Sequence, residues 1–354
     1  MTPSTDLPIE LLRRFAPGTP LRTAAEIIMS QGTGALVVIG SGLKVGSVCT
    51  GGFSLENATF TAQRLAELAK MDGGIVVDDT EGRILSANVH FMPDPDIPTD
   101  ETGTRFRTAE RLARQTGFPV LAVSEEGHLL AVVFSKNGRF ALQSVTELLG
   151  EANQRLQSIE RLRYQFDESV ARLSRYEADH LVSNREAVVV IQRAAVIRRL
   201  AKGLDTISAE LGDSASLISL QAADLIEGVV EVAELVSVDY QPRKPRKGYS
   251  VFTSIDKLHD DDVFDIELLA QAIGLEPLDD HASPRGARAI ADVPRIPDSV
   301  ADAILRKFGT YDRLMQASVE DLARVDGVGQ TRAQTVRAYL NQVSDAGITA
   351  DPAP

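Results

Sequence analysis

The sequence lacks tryptophan, aromatic residues make up only 5% of it, and Cys49 is its single cysteine. One cysteine excludes an intrachain disulfide, and with only five histidines it argues against a zinc site of Cys and His ligands. Scarce aromatics argue against a surface that binds nucleic acid mainly by base stacking. No apolar run approaches about 18 residues, and the first residues carry no apolar signal core, so we expect a cytoplasmic protein without a membrane span.

An excess of basic residues is also missing, because 50 acidic residues against 37 basic ones give a net charge of −13. This balance excludes a protein that coats nucleic acid with a largely basic surface. The acid excess is concentrated in residues 146–288, which hold 25 of the acidic and 17 of the basic residues. The two ends of the chain are therefore only mildly acidic. Any DNA contact should be weak, confined to the C-terminal end and reduced by salt.

A chain of 354 residues has room for about two to three domains. Residues 1–145 alternate amphipathic helical segments with short β-branched segments, at 35–40, 46–50, 74–79, 84–92, 119–124 and 129–134. This alternation predicts an α/β domain with a mixed sheet flanked by helices. We expect an all-α connector at 146–288 and a small all-α domain at 289–345.

The predicted connector begins with one long helix. Apolar residues recur at steps of three and four from Leu149 to Tyr176, with charged residues between them. Further helices are predicted at 187–203 and 218–237. The segment 240–250 contains two prolines and four basic residues, so it is either a linker or a loop that contacts phosphate.

The C-terminal segment carries a hairpin pattern in which hydrophobic residues and glycines alternate, Val325-Asp326-Gly327-Val328-Gly329. Gly327 and Gly329 allow backbone N–H groups at the start of the next helix to bind a DNA phosphate, and Arg332 adds charge nearby. The segment 294–298 occupies the place of a partner hairpin but has no glycine. The alternative is an ordinary helical turn that ends at a glycine.

Three short segments of the N-terminal domain suit a polyphosphate and a divalent ion. Gly103 to Arg111 joins a glycine, two hydroxyls and arginines to the start of a helix, which favours phosphate binding. Asp72-Gly73-Gly74 places a carboxylate on a glycine turn before a strand, and Ser124-Glu125-Glu126 ends another strand with further oxygen ligands. Taken singly, each is also compatible with a plain turn or a solvated face.

Together and in this order, the segments resemble the diadenylate cyclase domain of the DisA family of bacterial DNA integrity scanning proteins. The family's Asp-Gly-Ala motif is matched by Asp72-Gly73-Gly74, and its Gly-Thr-Arg-His-Arg-Thr/Ser-Ala-Glu-Arg motif by residues 103–111. The sequence around both motifs is also similar to that of the family, in the segments GTGALVVIG, GGFSL, ANVHFMPDPDIPTDE and QTGFPVLAVS. The resemblance continues through the helical middle to the C-terminal hairpin, so it covers nearly the whole chain.

The resemblance implies that the protein condenses two ATP molecules into cyclic di-AMP and two pyrophosphates with Mg²⁺ or Mn²⁺. In the family, two cyclase domains face each other with one ATP each, and the chains assemble as a homo-octamer. The family also binds DNA through backbone contacts and is inhibited by branched junctions.

The matched positions imply roles for individual residues. Asp72 would bind the metal and help to activate the 3′-hydroxyl, and Glu125 would be a second metal ligand. The residues implied to hold the ATP triphosphate are Thr104, Arg105, Arg107, Thr108 and Ser124. Gly73 and Gly74 would allow close backbone approach, and the backbone around Phe91 would border the adenine.

Two residues depart from the family motifs. Gly74 replaces alanine, and the loss of a methyl group should loosen the turn without removing a ligand. Phe106 replaces histidine, so any polar contact from that position to phosphate is lost. Since Asp72 and both arginines remain, we expect a working cyclase. Two alternatives stay open: a catalytically weakened scanning protein that binds nucleotide and DNA, and a DNA-repair accessory factor that acts through its helix-hairpin-helix.

Overall fold

The computed structural model describes residues 8–125, 131–241, 250–291 and 293–349, and it divides into two compact units. The described residues of 1–153 and 204–219 form the first unit, and those of 154–203 and 220–349 form the second. No helix within these ranges is long and apolar enough to cross a membrane.

The first unit contains an α/β domain whose elements follow one another along the chain. They are α1 (Ile9–Arg14), α2 (Pro20–Ser30), β1 (Ala35–Ile39), α3 (Leu43–Gly46), β2 (Cys49–Thr50), β3 (Phe53–Thr59), α4 (Ala62–Leu68), β4 (Gly74–Asp78), β5 (Arg83–Phe91), α5 (Thr104–Thr116), β6 (Val120–Val123), β7 (Ala131–Ser135) and β8 (Gly138–Ala141).

The strands form one mixed sheet in the order β2-β5-β4-β1-β6-β7-β8, and β3 pairs with β5 as well. Only the β1–β4 pair is parallel among the described strands, and the other pairs are antiparallel. The mixed sheet predicted for this domain is confirmed.

Both faces of the sheet are buried because alternate side chains of each central strand point to opposite sides. Val37 faces a core that includes Leu65 of α4, whereas the next residue, Val38, faces a core that includes Leu112 of α5. Covered on both sides, the central strands consist almost wholly of buried apolar residues. This explains why their β-branched runs were visible in the sequence.

The sequence missed two strands and misplaced part of a third. β3 has the sequence FSLENAT, whose polar residues fit a strand that pairs with β5 alone. β8 has only four residues and follows the two-residue turn Lys136-Asn137. The segment predicted as a strand at 46–50 forms the end of α3 and the two-residue β2. Of the segment predicted at 129–134, residues 129 and 130 lie outside the described residues.

The long helix predicted after the α/β domain is confirmed as α6 (Val145–Ala178), with 34 residues. It is followed by α7 (Asn184–Leu211), α8 (Ser216–Ile226) and α9 (Val229–Tyr240). The helical stretch predicted at 187–203 lies within α7, and the one predicted at 218–237 is divided into α8 and α9 at Gly228, which adopts a φ of 73°. Most of the basic segment 240–250 lies outside the described residues.

The remaining elements are short helices that end in one longer one: α10 (Phe252–Ile255), α11 (Ile266–Ile273), α12 (Ala287–Ala291), α13 (Asp298–Phe308), α14 (Tyr311–Met315), α15 (Val319–Ala323) and α16 (Gln330–Thr349). The helices from α12 onward share one apolar core, in which Ile304, Leu314 and Leu340 are completely buried. The small all-α domain predicted at the C-terminal end has the expected helical content.

A buried charged network lies between α6, α9 and α12 of the second unit. Asp239 of α9 accepts hydrogen bonds from the backbone N–H groups of Ala287 and Arg288, the latter over 3.2 Å. The Arg288 guanidinium forms an ion pair with Glu177 of α6, whose carboxylate also accepts a 2.5 Å hydrogen bond from the Tyr240 hydroxyl. Burial raises the pKa of Asp239 to about 6, although Arg288 opposes the shift.

This network predicts a pH dependence of stability. The pKa of Asp239 rises from 3.8 to about 6 on folding, so the folded state favours the protonated carboxyl. The contribution of this group to the free energy of unfolding is therefore fully present below pH 3.8 and is lost as the pH rises through 6. The free energy of unfolding in urea should therefore fall by about 1 kcal/mol more between pH 5 and pH 7 in the native chain than in Asp239→Asn. The exposed-site variant Asp224→Asn should keep the native slope. Equal slopes in the native chain and Asp239→Asn would contradict this prediction.

Candidate functional site

The topology of the sheet brings the predicted site segments to one edge. β1 runs parallel to β4 and antiparallel to β6, and β4 runs antiparallel to β5. The start of β4 after Asp72, the end of β6 before Ser124 and the end of β5 at Phe91 therefore lie at the same edge as the start of β1 after Gly34. Because helices cover both faces of this sheet, its residues reach solvent mainly at the ends of the strands.

The Asp72-Gly73-Gly74 turn packs tightly against β5. Asp72 is exposed, whereas Gly73 is half-buried and Gly74 is buried. A Cβ atom on Gly73 would lie 2.5 Å from the Asn88 Cα, and the Gly73 N–H donates a 3.1 Å hydrogen bond to the Asn88 Oδ1. The turn therefore presents the Asp72 carboxylate to solvent while its two glycines lie against the strand.

Gly74 faces the aromatic ring of Phe91. A Cβ atom at this position would overlap the ring, because its Cδ2 would be only 2.5 Å away. The expectation that glycine loosens the turn is wrong, since the Phe91 ring fills the space of the missing methyl group. Glycine at 74 and phenylalanine at 91 are a matched pair.

The arginine-rich motif forms the first turns of α5. Gly103 precedes the helix with a φ of 79°, and Thr104 and Arg107 are exposed. The Thr108 hydroxyl donates a 2.8 Å hydrogen bond to the Thr104 carbonyl. The N–H groups of the first helical turn have no partner within the helix, so with the hydroxyl and guanidinium groups they suit an anion.

Arg105 and Glu125 form an ion pair directly over Gly34. The Arg105 guanidinium also donates a 3.2 Å hydrogen bond to the Val123 carbonyl at the end of β6. A Cβ atom on Gly34 would lie 2.5 Å from both the Arg105 Cζ and the Glu125 Oε1. The fold thus joins one predicted triphosphate ligand to one predicted metal ligand, next to Ser124.

Phe106 faces away from this cluster into the core. Its ring packs against Phe134 of β7 with 6.1 Å between ring centroids, among the apolar residues beneath α5. The aromatic side chain at this position anchors the helix that carries Arg105 and Arg107. Phe106 therefore has a packing role that the motif comparison did not reveal.

The far side of α5 holds the loop that leads into the motif. The Arg111 Nε donates a 2.9 Å hydrogen bond to the Ile97 carbonyl, and the Arg114 guanidinium donates one to the Pro98 carbonyl at 2.5 Å. These contacts fix the loop at 92–103 against the helix. They depend on long-range pairing of side chain with backbone, which has no periodic signal in the sequence.

The predicted metal ligands supply carboxylate oxygens, which suit Mg²⁺ and Mn²⁺. Within the described parts of the chain, no group of three or more acidic, histidine or cysteine side chains forms a complete cation site. Mg²⁺ is commonly held by one or two carboxylates together with substrate phosphates. Asp72 and Glu125 would each offer one carboxylate to such an ion, and a nucleotide would have to supply the remaining ligands.

The C-terminal hairpin is held by its apolar residues. Val325 and Val328 are buried in the domain core, and the Val328 N–H donates a 3.0 Å hydrogen bond to the Val325 carbonyl. Gly327 between them has a φ of 83°, which favours glycine, and the Arg332 guanidinium donates a 2.8 Å hydrogen bond to the Gly327 carbonyl. Gly329 immediately precedes α16, so its neighbouring N–H groups lie at a helix start.

The segment at 294–298 keeps the hairpin conformation without its glycines. Arg295 has a φ of 64° and stands two residues after Val293, just as Gly327 stands two residues after Val325. Pro297, however, occupies the position of Gly329 and has no N–H to donate. This half of the pair lacks one of the backbone donors of the second hairpin.

Comparisons with known proteins agree with this architecture. Residues 22–139 match the nucleotide-binding region of the DisA bacterial checkpoint controller, residues 142–281 match its linker region, and residues 292–347 match the helix-hairpin-helix motif. The fold and these matches define a protein that joins a nucleotide-binding domain of the diadenylate cyclase family to a helix-hairpin-helix domain.

Curated relatives match over nearly the full length. The DNA integrity scanning protein DisA of Parafrankia sp. (strain EAN1pec) is 42% identical over 98% of each chain. That of Acidothermus cellulolyticus is 41% identical over 95% of this chain and 93% of its own. The chain therefore belongs to the DisA family of DNA integrity scanning proteins. DacA from Staphylococcus aureus, a solved structure, is 18% identical over 38% of this chain and 88% of its own, with a TM-score of 0.30.

The Arg105–Glu125 pair predicts that the glutamate competes with nucleotide for the arginine. Glu125→Gln removes the charge on the carboxylate, so ATP binding in the presence of EDTA should tighten by about twofold to fivefold, the value of a partly exposed ion pair. Isothermal titration calorimetry measures this affinity. Glu67→Gln, which disrupts the exposed pair between Glu67 of α4 and Lys70 just beyond its end, is the matched control and should leave the ATP affinity unchanged. Unchanged ATP affinity in Glu125→Gln would show that the pair does not oppose binding.

Proposed function

We propose that the protein condenses two molecules of ATP into cyclic di-AMP and releases two pyrophosphates. The observation that carries this proposal is the common sheet edge, where the Asp72 carboxylate, the start of α5 and the Arg105–Glu125 pair occur in a nucleotide-binding domain of this family. In each half-reaction a ribose 3′-oxygen forms a bond to the α-phosphorus of the other nucleotide. The bond from that phosphorus to the pyrophosphate oxygen breaks, and the hydroxyl proton passes to the Asp72 carboxylate and from there to water.

The side chains have separate roles in this scheme. Thr104, Arg105, Arg107 and Thr108 hold the triphosphate at the start of α5 and orient pyrophosphate as the leaving group, and Ser124 contacts it from the end of β6. Asp72 accepts a hydrogen bond from the 3′-hydroxyl and then takes its proton as the new bond to phosphorus forms. Asp72 and Glu125 would hold Mg²⁺ or Mn²⁺, which would supply positive charge to the phosphate oxygens.

The proposed reaction needs two copies of the chain. Each domain has one such edge, and a cyclic product requires two nucleotides in opposed orientation, so two domains must meet face to face. We propose the homo-octamer as the assembly that provides this pairing, and light scattering measures its mass. The weakened scanning protein is the second candidate, but Phe106 packs against Phe134 beneath α5, and the charged residues Asp72, Arg105 and Arg107 are all retained in the sequence.

Replacement of Asp72 tests the cyclase directly. The native chain with ATP and Mn²⁺ or Mg²⁺ should form cyclic di-AMP, detected by chromatography, and Asp72→Asn should lower kcat by about 10²-fold or more because the proton acceptor is lost. Asp96→Asn, in the exposed part of the loop at 92–103, is the control and should retain native activity. No product from the native octamer with either metal would refute the cyclase, and native turnover by Asp72→Asn would refute its assigned residue.

We further propose that the C-terminal hairpin binds the DNA backbone. The N–H groups after Gly327 and Gly329 and the Arg332 guanidinium suit a phosphate oxygen and read no base, so binding should be weak and independent of sequence. Branched junctions are the proposed preferred DNA, because an octamer can contact several duplex arms at once.

A substitution in the hairpin tests this interface. Gly327→Leu places a side chain where φ is 83° and a Cβ would be 3.1 Å from Val300, so the loop must change conformation. DNA affinity measured by fluorescence anisotropy at low salt should fall by about tenfold, as expected for the loss of one charge-assisted contact of about 1.4 kcal/mol. Gly309→Leu, at a φ of 74° after α13, is the control for backbone strain and should retain native affinity. Equal affinities in the native chain and Gly327→Leu would exclude the hairpin as the DNA contact.

A further inference from the structure

Asn88 stands at an irregularity in the sheet beside the proposed active site. Gly74 of β4 pairs with Val89 of β5, whereas Val76 pairs with Ser86, so β5 has one extra residue in this interval. Asn88, within the interval, has a φ of 55°. Apart from glycines, only Asn88, His180 and Arg295 have a positive φ among the residues that the structure describes.

Two glycine turns close on the backbone of Asn88. A Cβ atom on Gly73 would lie 2.5 Å from the Asn88 Cα, and one on Gly52 would lie 2.9 Å from its carbonyl carbon. The chain therefore approaches Asn88 from the turn after β2 and from the turn before β4. Any larger residue at Gly52 or Gly73 would push one of these turns away from the bulge.

The side chain of Asn88 contributes more than the backbone conformation. Glycine adopts a φ near 55° with little strain, so the conformation alone would favour glycine here. Asparagine tolerates this region and adds an oxygen, the Oδ1, which accepts the hydrogen bond from the Gly73 N–H at 3.1 Å. The bond ties the residue after Asp72 to the bulge of β5.

We propose that Asn88 is a positioning residue for Asp72. Its Oδ1 fixes the Asp72-Gly73 peptide, and through that peptide it sets the direction in which the exposed Asp72 carboxylate points. The catalytic part of this inference rests on the proposed cyclase activity, whereas the structural part, an ordered turn, stands on the hydrogen bond alone. Because catalysis is sensitive to misplacements of about 1 Å, loss of this bond should affect turnover more than nucleotide affinity.

The test compares two substitutions at this position. Asn88→Gly keeps a residue that tolerates positive φ and removes the acceptor, while Asn88→Asp keeps an acceptor oxygen of the same reach. His180→Gly, at the same φ of 55° in the second unit, is the control for flexibility added at such a position. The measurements are hydrogen exchange of the Gly73 amide, by NMR or by mass spectrometry of peptides that span 72–76, and the kcat and KM for ATP.

In Asn88→Gly the Gly73 amide should exchange about threefold to tenfold faster, the value of one hydrogen bond. The kcat should fall by about tenfold or more, with KM within about twofold of native. Asn88→Asp should restore slow exchange, and His180→Gly should match the native chain in both measurements. Native exchange and native kcat in Asn88→Gly, or fast exchange in Asn88→Asp, would overturn the proposal. If the native chain forms no cyclic di-AMP, the cyclase proposal fails, and the exchange rates still decide whether Asn88 orders the turn.

Discussion

Burial of the sheet on both faces is the constraint on which the site depends. Helices cover both sides of β1, β4 and β6, so these strands are almost wholly apolar. Their one charged residue, Asp78 at the end of β4, is buried and accepts hydrogen bonds from Thr80 and Glu81. Polar side chains that contact a ligand must therefore lie at the ends of the strands. The parallel β1–β4 pair, flanked by antiparallel neighbours on both sides, brings two strand starts and two strand ends to one edge.

Close packing at this edge relies on positions that have no side chain. Gly34 makes room for the Arg105–Glu125 pair, Gly73 for Asn88, and Gly74 for the Phe91 ring. In each case a residue distant in sequence fills the space that a Cβ would need. At Gly74 the Phe91 ring of β5 occupies the space that the methyl group of an alanine would need, so the turn and the strand remain closely packed.

Prediction from the sequence succeeded where a single element carries its own signal. The apolar period of residues 149–176 predicted α6, and β-branched runs predicted the buried strands, because burial imposes those patterns locally. The edge strand β3 was missed since pairing with β5, and not its composition, defines it. The functions of Gly34 and Asn88 depend on contacts across 71 and 15 positions of the chain, respectively, to Arg105 and Gly73, and periodicity does not encode such contacts.

The ion pair of Arg105 and Glu125 resolves an apparent conflict between the net charge of −13 and a polyphosphate ligand. In the structure each charge is balanced by the other, so the edge need not be strongly basic. Both side chains retain solvent access, at 33% and 57%, and an exposed pair of this kind is worth only about 0.2–1 kcal/mol. A triphosphate offers the guanidinium several charged oxygens, and a divalent cation offers the carboxylate a doubly charged partner. Separation of the pair therefore costs little compared with the charged contacts that a bound triphosphate would offer to the guanidinium.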